Sequence, residues 1–113
     1  MYVRARDFFR RNGDRQNEGR MLNNLGIVYR SQGRRDEAIS AYDDALVIGR
    51  ESKDRVGEGQ TLENVALLWE AQGDVSRALP FARQAVAELE CAEAKANLEK
   101  ARRTLAWLEA AQG

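Results

Sequence analysis

The 113-residue chain aligns with itself when it is shifted by 40 residues. Matching residues then pair along the whole alignment, among them Leu22 with Leu62, Asn24 with Asn64, Gly33 with Gly73, and Ala45 with Ala85. The match runs without a gap from residue 2 to residue 113. Such a period indicates a repeat architecture, in which each unit buries its apolar face against its neighbours.

Each unit contains two apolar stripes with helical spacing. In the first full unit, the first stripe consists of Leu22, Leu25, Gly26 and Tyr29. It is followed by Gly33, and glycine is a typical residue at a helix C-terminus. The second consists of Ala38, Ile39, Tyr42, Ala45 and Leu46. The pattern predicts an all-α fold of stacked antiparallel helix pairs, with about six helices and no strands.

We expect residues 1–113 to form a single domain, which the 40-residue period divides into repeat units. We expect residues 1–15 to be a half repeat holding only a second helix. Residues 16–54 and 55–93 are expected to be full repeats, and residues 94–113 a half repeat or capping helix. Asp36 and Ser76 are predicted N-caps of the second helices. A Gly inside a helix costs about 0.5–1 kcal/mol relative to Ala, so Gly26 is expected to meet a neighbour that leaves no room for a methyl group.

Composition excludes several classes of function. Eighteen basic residues balance eighteen acidic ones, so the chain lacks the net charge typical of nucleic-acid binders. With no His and one Cys, it offers no imidazole base or ligand and no disulfide. We therefore expect no enzyme activity, cofactor or metal. The absence of a signal-like or membrane-spanning stretch, together with the free thiol, predicts a cytoplasmic protein.

The first full unit carries a recognisable motif. It reads Leu22-x-x-Leu25-Gly26-x-x-Tyr29 and continues Ala38-x-x-x-Tyr42-x-x-Ala45. This motif resembles the tetratricopeptide repeat. The 40-residue period, longer than the family's usual one, implies longer helices and a longer loop. The string Leu22-Asn23-Asn24-Leu25-Gly26 is similar to the repeats of kinesin light chains, related polarity adaptors and many bacterial regulators.

The resemblance implies an alpha-alpha superhelix whose first helices line a concave groove. In that family the groove binds a peptide or a helix of a partner protein, so the resemblance implies a protein-protein interaction scaffold. Similar repeats use Asn at the place of Asn24 and Asn64 to bind a peptide backbone. The alternative is that these amides are solvated or bonded within the scaffold.

A helical projection places the other groove candidates opposite the buried stripe. An apolar line of Ile27, Leu67 and Trp107 recurs there every 40 residues. It is interpreted either as ligand anchors or as filler between adjacent first helices. Polar candidates that would tune the charge of the groove are Arg20, Asn23, Arg30 and Glu63.

Two other functions stay open at this point. The chain could be a structural or regulatory module of a longer array, or could form homo-oligomers through its terminal helices. It could also bind nucleic acid weakly through a basic first segment, whose arginines are Arg4, Arg6, Arg10, Arg11 and Arg15. Acidic residues interleave with these arginines, which makes that function the least expected.

Overall fold

The computed structural model describes residues 15–112, which form five α-helices. They are α1 (Arg15–Ser31), α2 (Arg35–Glu51), α3 (Arg55–Ala71), α4 (Val75–Cys91) and α5 (Lys95–Gln112). Every described residue outside them belongs to one of four short connections, so the all-α prediction is confirmed for this part of the chain. The remaining predicted helix, over residues 1–15, lies outside the described residues except for Arg15.

Helix length accounts for the 40-residue period. Helices α1 to α4 each contain 17 residues. The connections 32–34, 52–54, 72–74 and 92–94 have equal lengths. The expectation of a longer loop between units is therefore wrong, because residues 52–54 join two units as tightly as residues 32–34 join two helices within one.

All four connections close with the same backbone hydrogen bonds. In the first, the Gly33 N–H donates to the Arg30 carbonyl at 3.0 Å and the Arg34 N–H donates to the Tyr29 carbonyl at 2.9 Å. This is the Schellman arrangement, which requires a left-handed residue just after the helix. The left-handed residues and their φ angles are Gly33 (75°), Lys53 (58°), Gly73 (80°) and Glu93 (56°). The backbone thus repeats every 20 residues, although the side chains repeat every 40.

The helix N-caps differ from the sequence prediction. Arg34 is the N-cap of α2 and makes no side-chain cap bond, while Asp36 lies inside the first turn. Asp74 is the N-cap of α4 and accepts from the Arg77 N–H at 3.0 Å, so Ser76 is not the cap. The predictions fail because each helix begins two residues after the left-handed residue of the connection, earlier than the apolar pattern suggests.

Within each unit, small residues let large ones approach. A Cβ atom built on Gly26 would lie 2.4 Å from Cε1 of Tyr42, so only glycine fits there. A Cβ atom on Gly59 would lie 2.6 Å from Cγ of Leu89. The expectation for Gly26 is confirmed, and these contacts fix how closely α1 approaches α2 and α3 approaches α4.

Helix α3 lies at the centre of the core. One cluster joins it to α2 through Ala38, Tyr42, Val65 and Leu68. Another joins it to α4 and α5 through Ala66, Ala78, Leu79, Ala82 and Leu108. Neighbouring units therefore share a continuous apolar interior, as a repeat array requires.

Helix α5 differs from α1 and α3 on one side. In α1 and α3, this side packs against the second helix of the same unit. The residues of α5 there are Glu99, Arg102 and Glu109, in place of Gly59, Leu62 and Trp69. All three are exposed. Arg102 pairs with Glu90 at 2.9 Å, and Glu109 pairs with Arg83 at 3.8 Å. This side of α5 is therefore suited to contact with water.

Candidate functional site

The first helices of the units, α1, α3 and α5, form a continuous row. Helix α3 approaches both α1 and α5 with Cα atoms within 8 Å of each other, whereas no Cα atom of α2 lies that close to one of α4. In the described part of the chain, the row of first helices is therefore the more closely spaced one.

A cavity of about 220 Å³ lies across this row, and we call it the groove cavity. All three first helices contribute to its lining, which consists of Asn23, Asn24, Ile27, Gln60, Glu63, Asn64, Asn97 and Lys100. Five residues proposed from the sequence therefore come together at one place: Asn23, Asn24, Ile27, Glu63 and Asn64. The surroundings are mostly polar, with amide groups that both donate and accept hydrogen bonds.

A second cavity, of about 210 Å³, adjoins the first between α1, α2 and α3. We call it the inner cavity. Asn23, Asn24 and Gln60 line both cavities. The rest of its lining consists of Gly19, Arg20, Ala45, Gly49, Asp54, Gly57 and Thr61. Three glycines contribute no side chain, which leaves the space open.

The two predicted asparagines have different environments. Asn24 is exposed, whereas Asn64 is buried and its Nδ2 donates to Oδ1 of Asn23 at 2.9 Å. This bond joins α3 to α1 and is the intra-scaffold contact that the sequence left open as an alternative. Of the two asparagines, Asn24 is the one with an exposed side chain.

Glu63 is held between neighbouring first helices. Its Oε2 accepts from the Thr104 hydroxyl at 3.0 Å, and its Oε1 lies 3.9 Å from the Lys100 ammonium. Both residues belong to α5. The bond from Thr104 to Glu63 joins α5 to α3 at the same two repeat positions at which the bond from Asn64 to Asn23 joins α3 to α1. The Glu63 carboxylate thus belongs to the contact between units.

Arg20 and Asp54 form a two-point ion pair in the wall of the inner cavity. Nε and Nη2 of Arg20 donate to the two carboxylate oxygens of Asp54, at 2.9 and 3.1 Å. Asp54 also caps α3 by accepting from the Gly57 N–H at 3.1 Å. Burial raises the pKa of Asp54, but the bonds from Arg20, Gly57 and Gln16 and the Arg20 charge outweigh it, so the pKa lies below its usual value.

A sequence model described as the tetratricopeptide repeat matches residues 1–51 and 17–90. Together the two matches cover most of the chain, and the helix pairs and the row of first helices agree with them. The chain belongs to the tetratricopeptide repeat family. A comparison with curated proteins gives no match.

In this tetratricopeptide repeat chain, the three residues of the predicted apolar line are not equally buried. Ile27 is half-buried and packs against the cluster of Ala38, Tyr42, Val65 and Leu68. Leu67 is half-buried, and Trp107 is 55% exposed. Trp107 is therefore the residue of this line with the most surface to offer.

The last predicted residue, Arg30, lies near the other end of α1. Its Nη1 donates to the Asn64 carbonyl at 3.5 Å. It therefore contributes to the contact between α1 and α3, beside the asparagine bond.

Sequence reasoning misses three residues of the groove cavity: Gln60, Asn97 and Lys100. A signal for two of them exists, because Arg20, Gln60 and Lys100 occupy one repeat position. Asn97 carries no comparable signal, since Gly57 holds its place in the preceding unit. In the structure, Asn97 is hydrogen-bonded within the cavity, because Nε2 of Gln60 donates to Oδ1 of Asn97 at 3.3 Å.

Three further observations concern residues 15–112. No group of three or more His, Cys, Asp or Glu side chains among them could hold a metal ion. No helix among them is long and apolar enough to cross a membrane. The thiol of Cys91 is free and exposed at the end of α4.

Proposed function

We propose that this chain is a non-enzymatic scaffold that binds a peptide or a helix of a partner protein in the groove formed by α1, α3 and α5. Tetratricopeptide repeats generally mediate protein-protein interactions. The observation that carries the proposal is the pair of adjoining cavities, which open along the row of first helices and share Asn23, Asn24 and Gln60.

The described contacts favour different roles for the candidate binding residues. Asn24 and Trp107 are exposed and can contact a partner directly. Asn23, Asn64 and Glu63 are buried in bonds between the first helices and would hold the groove in shape. Ile27 and Leu67 are half-buried and would supply an apolar floor.

The test uses a phage library of random dodecapeptides, panned on the immobilised folded chain. The affinities of the selected peptides are then measured with the variant Asn24→Ala/Trp107→Ala. Both side chains are exposed, so the variant should melt like the unchanged protein. We expect its affinity to fall about tenfold, since truncating a central contact residue typically costs more than 1 kcal/mol.

The matched control is Ser40→Ala/Val47→Ala. It removes one polar and one apolar exposed side chain from α2, outside the row of first helices. Its affinity should stay within about twofold of the unchanged protein. Equal affinity for the groove variant, or no peptide selected above background, would refute the proposed function.

A second candidate is a self-assembling module, or a structural and regulatory module of a longer array. The exposed Trp107 on α5 favours a surface that another molecule covers. The charged side of α5, with Glu99, Arg102 and Glu109, opposes apolar pairing there. Sedimentation velocity separates the two, because a self-assembling chain gains mass with concentration without any added peptide.

The proposal also concerns the cellular compartment of the protein and its binding of nucleic acid. The free thiol supports a cytoplasmic protein. The basic segment proposed for nucleic acid lies outside the described residues except for Arg15, which pairs with Glu18 and Glu51 in α1 and α2. This pairing gives nucleic-acid binding no support.

A further inference from the structure

Among residues 15–112, three large apolar side chains are exposed. One of them, Val47, lies on α2 and is 52% exposed. The other two lie on the end helices of the row, with Val28 on α1 at 47% and Trp107 on α5 at 55%. Single exposed apolar residues are common on protein surfaces. Val28 and Trp107 differ from such residues in their repeat positions, which are more deeply buried elsewhere in the row.

The position of Val28 is buried in both of the other first helices. Leu68 of α3 and Leu108 of α5 hold this position, and they are 1% and 0% exposed. Leu68 belongs to the cluster that joins α3 to the preceding unit. The side of a first helix that carries this position is therefore the side that packs against the preceding unit.

The position of Trp107 faces the opposite way along the row. Ile27 and Leu67 hold this position in α1 and α3, and both are half-buried. Ile27 packs against the cluster that contains Leu68 of the following first helix. At Ile27, this position therefore meets the next helix of the row, near the residue that holds the position of Val28.

The polar bonds between first helices repeat in the same register. Asn64 of α3 donates to Asn23 of α1, and Thr104 of α5 donates to Glu63 of α3. A shift by 40 residues places Asn23 on Glu63 and Asn64 on Thr104. One more shift of this kind predicts a bond between residue 103 of one helix and residue 24 of the helix that would follow it.

The residues at these two positions are chemically complementary. Arg103 and Asn24 are both exposed, and neither has a side-chain hydrogen bond to another residue within 15–112. The guanidinium of Arg103 offers only donors, and the side-chain oxygen of Asn24 is an acceptor. Each end of the row thus exposes one apolar and one polar group that match the groups exposed at the other end.

We propose that α5 of one copy binds α1 of a second copy, so that the row of first helices continues across two molecules. Trp107 then covers Val28 of the second copy, and Arg103 donates to Asn24 of the second copy. A second copy is the occupant because the two ends match each other in register and in chemistry. The charged side of α5 stays in water. This inference goes beyond peptide binding and gives the second candidate function its contact surfaces.

The proposed contact is small and does not close on itself. Interfaces that bury less than about 1,200 Å² are typically weak and transient, and one helix against another belongs to this class. Because the two surfaces differ, every added copy exposes the same two ends again and growth continues. At low micromolar concentration the ends stay free, so peptide binding measured there and self-association can fail independently.

Sedimentation velocity of the full chain without peptide, from about 10 µM to about 1 mM, tests this inference. We expect the average mass to rise continuously with concentration. Trp107→Asp and Val28→Asp should each stay monomeric, because every contact between copies of one variant would bury an unpaired carboxylate. An equal mixture should form 1:1 dimers and nothing larger, since Trp107 of one variant meets Val28 of the other in a single intact contact.

The matched control is Val47→Asp, which places the same charge at the exposed apolar residue of α2. It should associate like the unchanged protein, and thermal melting checks that every variant is folded. If Val28→Asp fails to fold, Asn24→Arg replaces it, because its exposed cation would repel Arg103 of another copy.

Three results would overturn the inference. The first is an unchanged chain that stays monomeric at about 1 mM. The second is self-association of Val28→Asp alone, which a symmetric contact between two α5 helices would produce. The third is a mixture of the two variants that forms no dimer although the unchanged chain associates.

Discussion

Single residues set how closely the helices approach and where they turn. Gly26 lies under the ring of Tyr42, which is fully buried. Lys53 and Glu93 occupy a left-handed conformation that the equivalent turns give to Gly33 and Gly73. The first feature is a steric requirement, and the second is a local strain that the surrounding fold maintains.

We predict that Gly26→Ala lowers the free energy of unfolding by about 1–2 kcal/mol, because the buried Tyr42 ring cannot move away cheaply. Gly49→Ala in α2 is the control, since its new Cβ would lie 3.7 Å from the nearest atom. That substitution should stabilise by about 0.5–1 kcal/mol through helix propensity. Urea unfolding measures both, and a stabilising Gly26→Ala would contradict the described packing.

We predict that Lys53→Gly and Glu93→Gly each raise the free energy of unfolding by about 0.5–1 kcal/mol, because glycine adopts the left-handed conformation without the steric cost that other residues carry. Part of the gain is offset by the more flexible unfolded chain. Gly33→Ala is the reverse experiment and should destabilise. If Lys53→Gly destabilises in thermal or urea unfolding, residue 53 does not have the positive φ described here.

Among the helices, polar bonds tie successive units together on the groove side. Asn64 donates to Asn23 between α3 and α1, and Thr104 donates to Glu63 between α5 and α3. Asp54 combines two tasks, since it caps α3 and pairs with Arg20 of α1. These bonds hold the first helices at a fixed rotation relative to one another, and the rotation decides which side chains line the groove.

The low pKa of Asp54 predicts how acid affects stability. A carboxyl whose pKa is lower in the folded chain stabilises above its unfolded pKa, and the effect is lost as pH falls through the folded value. Asp54→Asn should therefore cost about 1–2 kcal/mol near pH 7, and the difference should shrink at acid pH as the lowered folded pKa of Asp54 is passed. Urea unfolding of both proteins across this range measures the difference.

Other carboxyls do not disturb that comparison. Burial and nearby acidic charge raise the pKa of Asp43 and of Glu88, so their effects run in the opposite direction. Both proteins in the comparison keep these residues, and their contributions cancel. A stability difference between the two that stays constant with pH would show that the Asp54 charge does not stabilise the fold.

Periodicity predicts the helices, because apolar residues such as Leu22 and Leu62 must share one buried face whatever surrounds them. The same reasoning brings Asn23, Asn24 and Asn64 near the groove. It does not reveal which asparagine is buried, since adjacent positions differ by about 100° around the helix and only the rotation of α1 against α3 decides. The N-caps fail as predictions for a similar reason, because turn geometry sets where each helix begins.

Across the described chain, each helix contacts only helices one or two places away in sequence. The free energy of unfolding of the chain should therefore be close to a sum of contributions from single units and from the contacts between neighbouring units. The described residues extend over 47 × 32 × 18 Å, and the row of first helices forms one side of this volume. The proposed function depends above all on this side being the surface that binds a partner.

Amide chemical shifts of the isotope-labelled chain, recorded while a selected dodecapeptide is added, test that dependence most directly. The account predicts the largest changes at Asn24, Gln60 and Lys100, with little change at Ser40 and Val47 of α2. Changes concentrated on α2 and α4, with α1, α3 and α5 unaffected, would contradict it.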